Sequence, residues 1–272
     1  MIHPKTLEEI ELIRRSALLV SKTLGMLAQE IKPGINTFYL DSLAEQFIRD
    51  HGGVPAFLGL YGFPHTLCVS PNEQVVHGLP NKTPLREGGI LSIDCGVLMG
   101  GYYGDQAYTF EVGEVAPETK QFLQVTKESL YLGITACSRG RRIGDIGFAI
   151  QNHVEEYRYS VVRELVGHGL GRKMHEDPQV PNYGIQGQGK KLVEGMVLAI
   201  EPMVNQGTHR VVFHRDGWTV TTADNQPSAH FEHDVAIIDG SSCLLSTFQY
   251  IYQILRIDSD EETPFRLVAA DP

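Results

Sequence analysis

Apolar residues recur at Leu7, Ile10, Ile13, Leu18 and Leu24 with Glu and Arg between them, the spacing of an amphipathic helix over residues 6–30. Thr6 followed by Glu9 supplies a capping box at its start, and Pro33-Gly34 ends it. A second helical pattern runs from about Thr37 to Asp50 and stops at Gly52-Gly53. Strand-like segments follow at Thr66–Ser70, Val75–His77 and Ile90–Asp94. Helical spacing returns at about Glu118–Ser138 and Ile143–Tyr157. Strand-like runs come back at Val197–Glu201, Val211–Phe213, Trp218–Thr222 and Ser228–Ile238. Near the end, Phe248, Ile251 and Leu255 fit one helical face, and the acidic run that begins at Asp258 reads as solvated.

The order helix, helix, strands therefore occurs twice. Short anchors repeat in the same order. Pro33-Gly34 is matched by Arg139-Gly140, His77-Gly78-Leu79 by His168-Gly169-Leu170, and Leu91-Ser92-Ile93-Asp94 by Leu198-Ala199-Ile200-Glu201. The pattern predicts an internal duplication: two similar α+β halves facing each other across one site.

Each half contains a hairpin signal. Gly100-Gly101 follows the first strand run, and a hairpin centred between Met99 and Gly100 pairs Asp94 directly with Asp105. Asp216-Gly217 marks the second turn, and a long hairpin centred there pairs Glu201 with Glu232, with Pro202 disturbing the ladder. Isolated acids in strands are mostly solvated surface groups. Like charges directly opposed destabilise a strand pair, so two such pairs in matching positions point elsewhere. Four converging carboxylates carry a charge of −4, which two divalent cations would cancel. Carboxylates with one imidazole suit Mn, Fe, Co or Zn ions, and His168 is the candidate imidazole. Most of the remaining histidines read as structural or surface groups.

Composition narrows the picture further. The 272 residues, 42% of them hydrophobic, are enough for one large domain or two small ones with a sizeable core. The formal net charge of −10 disfavours nucleic-acid binding, so DNA is not an expected partner. The four cysteines, Cys68, Cys95, Cys137 and Cys243, form no C-x-x-C pair and read as reduced thiols. No apolar run approaches the ~18 residues of a membrane span, and no signal-peptide core follows Met1. A soluble cytoplasmic protein is expected.

Seven segments carry a family likeness: VVHGLP (75–80), LSIDCG (91–96), YYGDQAYTF (102–110), VGHGLGRKMHEDPQVPNYG (166–184), LAIEPM (198–203), DGWTVTTAD (216–224) and SAHFEHD (228–234). On these, and over roughly residues 5–245, the chain resembles the type I methionine aminopeptidases. The resemblance implies the pita-bread α+β fold, with two pseudo-symmetric halves (about 1–115 and 116–245) around a central antiparallel sheet, then an extension over 246–272. It implies two divalent metal ions. Asp94 would bind one and His168 and Glu201 the other, with Asp105 and Glu232 bridging. Water activated there would attack the first peptide carbonyl. His77 would contact the substrate backbone, His175 would donate to the carbonyl oxygen, and Glu201 would shuttle the proton. Leu60, Phe63, Cys68, Met174 and Trp218 would form the methionine pocket. Leu60 and Met174 depart from the Tyr and Phe frequent at those places in bacterial relatives. The implied substrates are nascent chains whose second residue is small, met near the ribosome exit by a monomer. The alternatives are an X-Pro aminopeptidase or prolidase, against which the missing large N-terminal domain speaks, and a non-catalytic pita-bread binding protein, against which the full ligand set speaks.

Overall fold

The computed structural model describes residues 2–258. Its helices are α1 (Leu7–Ala28), α2 (Thr37–Asp50), α3 (Pro117–Ala136), α4 (Ile143–Glu156) and α5 (Gln249–Leu255). The first half holds β1 (Val54–Pro55), β2 (Leu67–Pro71), β3 (Gln74–Val76), β4 (Gly89–Met99) and β5 (Tyr102–Val112). After α3 and α4 come β6 (Ser160–Val161), β7 (Gly167–Gly169), β8 (Glu176–Val180), β9 (Val197–Ile200) and β10 (Met203–Asn205). The last strands are β11 (Val211–Phe213), β12 (Val220–Thr222), β13 (Ser228–His230), β14 (His233–Ile238) and β15 (Ser241–Leu244). The expected double run of helix, helix, strands is thus present.

Local rules account for the helices. Thr6 accepts from the Glu9 N–H while the Glu9 carboxylate accepts from the Thr6 N–H, the reciprocal capping box that the sequence suggests. Ile10, Ile13 and Leu24 turn inward from α1 and are almost fully buried. The helix lies directly on β5, where Gly104 has no side chain to hold the α1 backbone at Ala17 away. At its other end α1 meets α5, with Gly25 against Tyr250. Phe248 and Ile251 are buried in the main core, whereas Leu255, expected on the same face, is 42% exposed where the helix ends. The stretch Ser246–Tyr252 therefore packs into the body of the protein, and the acidic run beyond Asp258 lies outside the described residues.

The strand pairings are antiparallel. One sheet has the order β1-β4-β2 with β5 also on β4, and a five-stranded sheet runs β15-β14-β9-β7-β8. Two small sheets, β13-β10-β6 and β11-β12-β3, complete the set, and the last joins the second hairpin to the first half. Beside the site, β5 is tied to the second hairpin by hydrogen bonds from the Glu232 N–H to the Ala107 carbonyl (3.0 Å) and from Thr109 Oγ1 to the His230 carbonyl (2.9 Å).

The two hairpins differ in how they meet expectation. In the first, Asp94 pairs with Ala107 and Asp105 with Gly96, so the two aspartates are not opposed. The cause is the turn. Gly100 (φ 61) and Gly101 (φ 81) are both left-handed, as the two central residues of this tight turn must be, and that moves the centre onto the glycine pair. The shift is two residues, so both carboxylates stay on one face. They become diagonal neighbours, roughly 7–8 Å apart at the backbone, rather than a directly repelling pair. In the second hairpin the register is the expected one from Phe213↔Val220 at the tip to Val197↔Ala236 at the base. Glu201 and Glu232 face each other in a gap between the pairs Ile200↔His233 and Met203↔His230.

Candidate active site

A cavity of about 600 Å³ opens where the two larger sheets meet, within the usual range for ligand sites. Asp94 on β4, Asp105 on β5, His168 on β7, and Glu201 and Glu232 in the ladder gap all reach it, as do His77 and His175. His77 follows β3 with a left-handed backbone (φ 58). That turn lets the next residue, Gly78, pack on the Val69 carbonyl, where a β-carbon would not fit.

The deep end is crowded with acids. Asp105, Glu201 and Glu232 are 8% exposed or less. One oxygen each of Asp94, Asp105 and Glu232 is buried without a hydrogen-bond partner among the described residues. Burial first, and then the neighbouring acids, hold Asp94, Glu201 and Glu232 well above the usual carboxylate range, and burial raises Asp105 as well. Such a cluster needs positive charge. Burial works the opposite way on the imidazoles, pushing His168 down to about 3 and His77 down to about 4. Both rings are therefore neutral near pH 7.

The donor set suits divalent cations. Ligand atoms of Asp105, His168 and Glu232 lie within 4.8 Å of one another. His168 Nδ1 faces the Gly169 carbonyl at 2.9 Å, which places the ring proton there. Nε2 is left with a free lone pair, 3.6 Å from Glu201 Oε1 and 3.7 Å from Asp105 Oδ2. A backbone carbonyl fixing the far nitrogen of an imidazole is the usual support of a metal ligand. The unpartnered carboxylate oxygens would complete the coordination.

The opposite wall is apolar. Phe63 meets the Trp218 indole edge-on, with ring centroids 5.0 Å apart. Leu60 and Cys68 line the same wall, and Cys68 pairs across the sheet with Asp94, so the pocket thiol adjoins the acid cluster. Met174 is buried in the same apolar cluster as Phe57, Phe63 and Cys68. A β-carbon on Gly96 would meet Met174 Cε at 2.5 Å and Phe57 Cε1 at 2.6 Å. Phe57, in the loop before β2, lines the cavity as well. At the mouth, Tyr61 is 77% exposed and stacks on His175, with centroids 5.9 Å apart and planes 18° apart. His175 in turn meets His168 edge-on at 4.5 Å.

A family model described as metallopeptidase family M24 matches residues 11–239. This chain belongs to metallopeptidase family M24. The M24 chain is 49% identical over 246 residues to the methionine aminopeptidase of Clostridium perfringens, covering 90% of this chain and 99% of that one. It is 48% identical over 239 residues to methionine aminopeptidase 1 of Bacillus subtilis, with coverages of 88% and 96%. The crystal structure of methionine aminopeptidase from Rickettsia prowazekii superposes with a TM-score of 0.90 at 40% identity, covering 91% of this chain and all (100%) of that one. Prolidase from Pyrococcus furiosus superposes with a TM-score of 0.72 at 21% identity, which shows a shared fold. The pita-bread fold and the use of divalent metal follow from M24 membership. No helix among the described residues is long and apolar enough to cross a membrane.

Sequence reading missed Phe57 and Tyr61, which line this M24 site, and buried His230 beside Glu201. Phe57 and Tyr61 sit in a loop without periodicity. His230 stands in a strand run where a lone His is ordinarily core, and no local spacing signals its place beside Glu201.

Proposed function

We propose that this chain removes the initiator methionine from nascent proteins whose second residue is small. One observation carries the reading. A single cavity joins a cluster of neutral histidines and carboxylates to an apolar wall. The named relatives, covered almost end to end, support the same reading. On it, Asp94, Asp105, His168, Glu201 and Glu232 hold two divalent cations, of which Mn, Fe, Co and Zn all suit the donors. When bound, these supply Lewis acidity, ionising water near neutral pH and polarising a peptide carbonyl.

The chain's own residues do the rest. The apolar wall of Phe57, Phe63, Cys68 and Trp218 receives the methionine side chain, and the aromatic rings pack well against a thioether. The free α-amine of the substrate lies toward Asp94, which limits cleavage to an N-terminal residue. Glu201 takes the proton of the attacking water and returns it to the departing amine. His175 donates to the carbonyl oxygen as negative charge develops, and neutral His77 holds the substrate backbone beside the scissile amide. Substrates on this reading are the amino termini of new chains, met in the cytoplasm near the ribosome exit by a monomer.

Hydrolysis of Met-Ala-Ser and of Xaa-Pro peptides, with and without a chelator, tests the proposal. Metal-dependent release of methionine from Met-Ala-Ser is expected. Cleavage of Xaa-Pro peptides alone would assign the chain to prolidase chemistry instead.

A further inference from the structure

His230 closes β13, next to the ladder gap that carries Glu201 and Glu232. Its backbone is clamped on both sides by one hydroxyl. Thr109 Oγ1 donates to the His230 carbonyl and accepts from the His230 N–H, each at 2.9 Å, and Ser92 Oγ lies 2.8 Å from the same Thr109 oxygen. The side chain is 1% exposed, yet neither ring nitrogen has a hydrogen-bond partner among the described residues. Buried imidazoles are ordinarily satisfied, so an orphan of this kind asks for a reason. Glu201 Oε2 lies 3.6 Å from His230 Nε2. Glu201 Oε1 lies the same 3.6 Å from His168 Nε2. An imidazole thus addresses each oxygen of the Glu201 carboxylate.

We infer that His230 is a positioning residue that donates its Nε2–H to Glu201 Oε2 and so fixes which face of that carboxylate meets the bound cation. His230 does not line the cavity and touches no substrate; it acts through Glu201. The separation is longer than a formed hydrogen bond. Contacts of this sort close when the site fills, because the ligand orients the carboxylate they support. Groups that orient a ligand from behind typically change metal affinity 10–100-fold when lost. The inference rests on Glu201 being a metal ligand.

Two variants separate reach from polarity. In His230→Gln the amide nitrogen can occupy the place of Nε2. In His230→Asn the side chain is polar but one methylene shorter and falls short of Glu201. Calorimetric titration of Co²⁺ into each metal-free protein, with the visible Co²⁺ spectrum recorded alongside, reads the site without turnover. Wild type should bind two ions. His230→Asn should bind the second about 10–100-fold more weakly with an altered spectrum, and His230→Gln should stay within about threefold of wild type. In parallel, kcat for Met-Ala-Ser should fall in His230→Asn with KM nearly unchanged, and His230→Gln should restore it. Wild-type affinity in both variants, or equal loss in both, overturns the role of His230 and leaves the metal site standing. Wild-type protein that binds no ion overturns the metal reading and the inference with it. Should His230→Asn not fold, His230→Gln alone decides: native affinity supports the inference and a tenfold loss overturns it.

Discussion

Asp234 on β14 accepts the backbone N–H of Asp105 at 2.8 Å, so one buried carboxylate holds the strand that presents another. The contact crosses from one half of the chain to the other. Removing the acceptor would leave a buried N–H unpaired, which costs about 1–3 kcal/mol. Asp234→Leu should therefore lower unfolding free energy by that amount in urea titrations of the metal-free protein. Asp234→Asn keeps an acceptor oxygen and should not. Equal losses in the two variants would remove the Asp105 N–H from the account.

Stability of the metal-free protein should depend on pH with a definite sign. Burial depresses His168, His230 and His233 to about 3 and His77 to about 4. Depressed histidines contribute stability that is complete above their unfolded pKa of about 6.5 and is lost as pH falls. The raised carboxylates Asp94, Glu201 and Glu232 act in the opposite sense. Their contribution is complete below about pH 4 and is lost as pH rises through their elevated folded values. Above about pH 6.5 only the carboxylate loss remains. Thermal scans after chelation should show Tm falling from pH 6.5 upward. With Mn²⁺ present the fall should vanish, because cation binding displaces the same protons. A chelated protein whose Tm climbs over that interval contradicts the charge assignment.

Glu201→Gln should fold normally, as judged by circular dichroism, and lose about 10²–10⁴ in kcat on Met-Ala-Ser, the range for losing a positioned acid–base group. Near-normal turnover would take proton transfer away from Glu201. His175→Ala, which removes a donor to the developing oxyanion, should lose about 10²–10³ in kcat. A change confined to KM would make His175 a binding residue only.

Gly96→Ala probes the wall. The added carbon would crowd Met174 Cε and Phe57 Cε1. Overpacking of this kind costs about 1–3 kcal/mol, and the escape route for Phe57 is into the cavity. Melting should shift downward, and KM for Met-Ala-Ser should rise more than kcat falls. Unchanged KM would mean that Phe57 does not shape the methionine pocket.

The sequence made the helices legible nearly to the residue. Thr6-Glu9 and Pro33-Gly34 bracket α1, and no tertiary contact had to be guessed to place them. Turn chemistry was equally informative where it was followed strictly. Asp216-Gly217 at the tip carried the second hairpin in register down to Glu201 and Glu232. The first register was off by two because the centre was set beside the Gly100-Gly101 pair rather than on it. The face survived, since side chains alternate with period two. His230 and Phe57 were beyond reach for another reason. Each depends on contacts between segments far apart in the chain, Thr109 with His230 and Gly96 with Phe57, and neither composition nor spacing encodes them.

The placement of Glu201 and Glu232 in a break between ladders makes the outer hairpin modular. Register is pinned on the inner side by Ile200↔His233 and again by Met203↔His230. Insertions or deletions at the tip, between Phe213 and Val220, would displace Trp218 from the cavity wall while leaving both glutamates where they are. A single residue gained or lost between Leu198 and Met203 would instead turn one of them out of the site. Related chains should therefore keep length constant at the break.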